Sequence, residues 1–90
     1  MISWDESKRK SNLRYHAIDL ASIVAVFDAP LITKEDTRLT YGEQRLQSLG
    51  LLDGEVVFLV WTERESGAHV ISCRKAEKHE QKFYFANIKI

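Results

Sequence analysis

The side chains best able to do chemistry stand in two short clusters, Glu63-Arg64 and Arg74-Lys75, with Glu77 just beyond the second. Guanidinium forks and ammonium groups bind phosphate. A strand end that runs through a basic pair into a helix is a usual place to hold one, because helix N–H groups add to the side chains. A third constellation, Lys8, Asn12 and His16, recurs at i, i+4 and i+8 and so shares one helix face. A histidine there is a candidate for proton transfer. Other chemistries have less to build on. His16, His69 and His79 show neither the spacing of a helical zinc site nor a nearby Cys pair, and no EF-hand, P-loop or dinucleotide glycine pattern occurs. No metal or nucleotide cofactor is expected. Cys73 is the single cysteine, which excludes an internal disulfide, and its strand setting predicts a small buried thiol. No Gly-x-Ser-x-Gly elbow is present. Trp4 and Trp61 are expected as core or interface anchors.

These residues must be positioned by the elements around them. Met1–Trp4 predicts a short strand, and Asp5 a helix N-cap for Glu6–His16, with Asp5/Arg9 and Glu6/Lys10 as i,i+4 pairs. That helix is polar, and Leu13 and Tyr15 are its only large apolar residues for a narrow buried seam. Asp19 can cap a second helix whose apolar face is Leu20, Ile23, Val24 and Phe27, closed by Pro30. Then the period changes. Leu31–Glu35 and Gln44–Leu52 read as strands around a turn near Gly42, and Asp53-Gly54 signals a tight hairpin. The unbroken apolar run Val56–Trp61 predicts a central strand buried on both faces. Ser66-Gly67 turns the chain into a strand over His69–Arg74. Lys75–Phe85 reads as a helix with Ala76, His79 or Glu80, and Phe83 along one side. Early helices, an antiparallel sheet and a terminal helix make an α+β domain.

Ninety residues allow one domain, taken as 1–90, and 44% hydrophobic with 29% charged residues fits a globular chain. Thirteen basic and thirteen acidic residues give a formal net charge of zero, against a strongly polybasic nucleic-acid coat. The charges are uneven, however. Asp28–Glu55 holds six acids and three bases, whereas Arg74 to the end holds five bases and two acids. No apolar run reaches the length of a membrane span and the opening residues lack a signal-peptide core, so a cytoplasmic protein without membrane association is expected.

Ordered along the chain, Trp4-Asp5-Glu6, Lys8, Asn12, His16, Val26-Phe27-Asp28-Ala29-Pro30, Tyr41-Gly42-Glu43-Gln44-Arg45, Leu49-Gly50, Val60-Trp61-Thr62-Glu63-Arg64 and Ile71-Ser72-Cys73-Arg74-Lys75-Ala76 resemble the BrnT toxin family. The resemblance runs from Trp4 to about Tyr84. It departs at Ala17, where a glycine is common, at Cys73, where an alanine is common, and in the apolar tail from Phe83. It implies a RelE-like fold and a ribonuclease toxin of a bacterial type II pair that stops translation. The implied partners are an RNA substrate and a BrnA-like ribbon-helix-helix antitoxin, through which alone the complex would reach operator DNA. Cleavage by attack of the ribose 2′-OH needs a base, cations at the phosphorane oxygens and an acid for the leaving oxygen, and no metal. Arg64, Arg74 and Lys75 are the expected phosphate-binding cations, with Glu63, Glu77 or His16 for proton transfer. Lys8, Arg45, Lys78 and Tyr84 are expected to bind or position substrate. The alternatives are a nucleic-acid binding module and a catalytically weakened toxin-like subunit acting through protein interaction.

Overall fold

The computed structural model describes residues 1–36 and 44–88; the expected turn near Gly42 lies outside them. Strand β1 (Ser3–Trp4) leads into helix α1 (Glu6–His16), a 3-10 turn (Leu20–Ser22) and the short helix α2 (Val24–Asp28). Strands β2 (Ile32–Asp36), β3 (Arg45–Leu52), β4 (Glu55–Arg64) and β5 (Gly67–Lys75) follow, and helix α3 (Lys78–Asn87) ends the fold. The sheet order is β1-β5-β4-β3-β2. It is α+β as expected, but the sheet is mixed, because β1 runs parallel to β5.

Local chemistry accounts for most boundaries. Asp5 caps α1 by accepting from the Ser7 amide at 2.9 Å. Asp53 and Gly54 both take positive φ, 51° and 80°, as a type I′ hairpin requires. Lys75 stays in β5, and Glu77 and Glu80 form a reciprocal capping box that starts α3 at Lys78. The helix therefore begins later than the sequence pattern predicts.

Three layers result. On one face of the sheet Ile18, Leu20, Ile23 and Val26 pack on Val57, Leu59, Trp61, Val70 and Cys73. The Trp61 indole stands edge-on to Phe27 at 5.3 Å and donates to Ser48 Oγ at 2.8 Å. A side chain at Gly50 would meet Val26 Cγ1 at 2.6 Å and Leu31 Cδ2 at 2.8 Å, so α2 lies this close to β3 only over a glycine. On the opposite face α3 covers Val56, Leu49 and Leu51 with Tyr84 and Ile88. Strand β4 is central in the sheet, and Val57, Leu59 and Trp61 are buried on one face. On the α3 face Phe58 and Val60 are only half-buried, so the expected two-sided burial is incomplete where the helix does not cover the strand.

The helix faces differ from expectation. Leu13 and Tyr15 of α1 are exposed, and Asn12 is the residue buried. Its amide accepts from the Cys73 N–H at 3.0 Å and donates to the Cys73 and Ile18 carbonyls, each at 2.8 Å. Asn12 thus fills the hydrogen-bonding positions of a missing neighbour strand, and a polar helix docks through one saturated amide. Arg9 pairs with Glu6 and with Asp19 (2.8 Å), tying α1 to the 3-10 turn, rather than with Asp5, whose carboxylate is taken by Ser7. In the next segment Val26, not Val24, joins Leu20 and Ile23 inside, because the 3-10 turn shifts the phase. In α3 the buried residue is Tyr84, while Phe83 is exposed.

Candidate functional site

The face of the sheet turned toward α3 is built in rungs, since residues directly opposite in a ladder share a face. One rung runs Ile32, Leu49, Phe58, Arg74, and the next runs Lys34, Gln47, Val60, Ser72. Further along β4 the same face carries Thr62, paired with His69, and then Arg64, paired with Gly67. Arg45 lies opposite Asp36 on this face as well. Ser3 completes the Thr62–His69 rung, its hydroxyl 2.8 Å from His69 Nδ1.

Arg74 is the best-fixed of these cations. Its Nη1 and Nη2 donate to the two Glu80 oxygens at 2.8 and 3.0 Å, and Nη1 also donates to the Lys75 carbonyl at 3.2 Å. The guanidinium lies 4.2 Å above the Phe58 ring centroid. The guanidinium beside Glu80 holds that carboxyl below its ordinary range, against a smaller opposing effect of burial. Five N–H donors belong to an Arg, so the Nε edge and the second Nη2 hydrogen remain for an anion. Glu80 also accepts from the Glu77 amide at 2.7 Å, which fixes the clamp to the start of α3.

Beside this clamp, between α3 and the sheet, runs a groove of 560 Å³, lined by Ile32, Lys34, Gln47, Leu49, Phe58, His79, Glu80 and Phe83 among others. Glu77, His79 and Glu80 bring one ligand atom each to within 4.8 Å of one another. Both Glu80 oxygens are already engaged by Arg74, so the trio is better explained as a helix cap with a histidine beside it than as a cation cage.

The expected site residues do not all converge. The β4–β5 turn is tight, with Arg64 opposite Gly67, so Arg64 lies six β4 residues, about 20 Å, from the rung of Arg74. Lys75, next to Arg74, points to the other face, where it lines a cavity with Leu13, Ala17 and Val57 and pairs with Glu55 at 3.4 Å. Glu63, opposite Ala68, is on that other face too. Lys8 and His16 are exposed on α1, which packs on β5 from the same side. Tyr84 is fully buried and donates to the Pro30 carbonyl at 2.6 Å; it belongs to the core and is shut off from substrate. Lys78 and Glu77 are exposed at the start of α3, beside the clamp. Cys73 is buried, and desolvation pushes its thiol up to about 12, the inert state expected of it.

Sequence reasoning missed Glu80, Phe58 and His79 as parts of the site. Only the capping spacing Glu77-x-x-Glu80 signals the start of α3, and nothing local signals that Glu80 reaches back to Arg74.

A mixed sheet with α1 and α2 on one face and α3 on the other, and a guanidinium clamped beside an open groove on the α3 side, defines a small α+β protein whose best-fixed cation lies on that second face. Residues 4–80 match the family model described as the ribonuclease toxin, BrnT, of type II toxin-antitoxin systems, and the chain belongs to that family. Comparison with individual curated proteins gives no match. Among the described residues no helix is long and apolar enough to cross a membrane.

Proposed function

We propose that this chain is a metal-independent endoribonuclease that blocks translation in the cytoplasm until a BrnA-like ribbon-helix-helix antitoxin covers it, and that it reaches operator DNA only through that partner. The observation that supports this most is the Arg74 clamp beside the groove: a cation fixed in place, with unused donors, on the sheet face shared with Lys34, Arg45 and Arg64. In this reading Arg74 binds the non-bridging oxygens of the scissile phosphate and stabilises the charge they gain in the phosphorane. His79, lining the same groove, takes the 2′-OH proton or supplies one to the 5′ oxygen. Arg64 and Arg45 hold phosphates further along the strand. Lys75, His16, Glu63 and Lys8 stand apart from this face and have no part in the step.

The reaction forms the 2′-O–P bond and breaks the P–O5′ bond. Its products carry a 2′,3′-cyclic phosphate and a 5′-hydroxyl. The test is incubation of the purified chain with 5′-labelled RNA in EDTA. Cleavage that leaves these ends is expected. Cleavage only with an added divalent ion, or fragments with a 5′-phosphate, would exclude the mechanism. Intact RNA together with growth unaffected by expression would favour the catalytically weakened subunit.

A further inference from the structure

We infer that the groove between α3 and the sheet is a nucleobase pocket, which seats the unpaired base next to the phosphate held by Arg74 and so sets which RNA sites are cut. The inference rests on the ribonuclease reading above and deepens it. Phe83 is about half exposed, at 53%, on the side of α3 that overhangs the groove, an arrangement with no role in the core. Opposite it the floor is apolar, made by Ile32, Leu49 and Phe58. A flat aromatic ring entering there is stacked on one side and rests on hydrocarbon on the other, which is how single-stranded RNA bases are commonly held.

Charge selects a nucleotide over an apolar peptide side chain. Among the described lining residues Glu80 is the one carboxylate, neutralised by its two bonds to Arg74, and Lys34 and His79 are the other ionisable groups. The floor is therefore apolar, and Lys34 with the neighbouring Arg74 supplies the cations at its edge, complementary to a base that carries its phosphate. The Phe58 ring joins the two halves: Arg74 lies over its face, and the same side chain forms part of the groove floor. Arg74 touches two of the groove's lining residues, Phe58 and Glu80, so a base in the groove brings its phosphate to the neighbourhood of that guanidinium. The 560 Å³ volume lies within the range of small-ligand sites.

Phe83→Ala and Phe83→Trp test this, because the residue is exposed and its removal leaves the core intact. Loss of one stacking partner predicts a ten- to hundredfold fall in kcat/KM for a short RNA with Phe83→Ala, a flattened pattern of cleavage positions, and recovery with Phe83→Trp. In parallel, guanosine and uridine 3′-monophosphates should shift the Phe83 and Phe58 ring resonances, and ribose 5-phosphate should not. This binding arm reads the pocket even if no RNA is cut, so its failure is distinguishable from failure of the ribonuclease reading. Unchanged rate and pattern in Phe83→Ala would overturn the pocket. So would equal binding of ribose 5-phosphate, or a Phe83→Ala variant that loses only its antitoxin affinity.

Discussion

Arg74 is a cation whose position is set by its neighbours. A free arginine at a strand end would sample many rotamers, but two bonds to Glu80 and the Phe58 ring reduce it to one. Removing Glu80 should therefore act through Arg74. Glu80→Gln is expected to lower RNA cleavage roughly ten- to hundredfold by loosening that geometry. It should also cost about 1 kcal/mol of stability, a modest value because the pair is partly exposed. The sign with pH follows from the depressed Glu80 carboxyl. Its stabilisation is fully present above the ordinary value of 4.5 and is lost as pH falls through the lower folded-state value. Thermal melts of wild type and Glu80→Gln should accordingly differ at pH 7 and converge at strongly acidic pH. Cys73 gives a second check at this scale: with its thiol pushed up to about 12 it should stay unmodified by iodoacetamide until the chain unfolds. Arg74 was legible in the sequence as a cation at a strand end. Its partner was not, because pairing of residues six apart depends on where the strand stops and the helix starts, and Ala76 and Glu77 belong to neither.

At the scale of elements, caps and turns carried the information that apolar periodicity lacked. The Asp53-Gly54 hairpin and the Asp5 cap form where local residue chemistry demands them. The faces of the helices are a different matter, since a short, polar helix such as α1 has no apolar stripe to read. Its docking rests on Asn12, and Asn12→Ala would leave the Cys73 N–H and two carbonyls without partners. A loss of about 3 kcal/mol in denaturant unfolding is expected, with Asn12→Asp nearly as harmful because a carboxylate cannot donate to either carbonyl. The end of α1 offers the opposite sign. Ala17 closes the helix in the left-handed region at φ 57°, where the family resemblance has a glycine. Ala17→Gly should stabilise the chain by about 0.5–1 kcal/mol, measured in the same way. Strand β5 shows why simple alternation misleads. Ile71 is an extra residue at the irregularity opposite Val60 and Trp61, so Cys73 shares its face with Val70 rather than with Ile71.

For the molecule as a whole, the sheet separates residues that are close in sequence. Arg74 and Lys75 are neighbours in the chain, yet one faces α3 and the groove and the other faces the α1 side. A short turn at Ser66-Gly67 already implies that Arg64 and Arg74 lie at opposite strand ends, and the register of β4 with β5 shows this and shows as well that the pair Arg74-Lys75 is divided between the faces. The helical layer of α1 and α2 fills one face with core, which leaves the α3 face as the surface where cations and a groove coincide. The most direct test of that division is the rate of RNA cleavage in EDTA by wild type, Arg74→Ala and Lys75→Ala, with circular dichroism to confirm that all three are folded. Arg74→Ala should be slower by about two to three orders of magnitude, the usual loss for a donor to transition-state charge, and Lys75→Ala should match wild type. Equal cleavage by Arg74→Ala and wild type, or an equal loss in Lys75→Ala, would contradict the account.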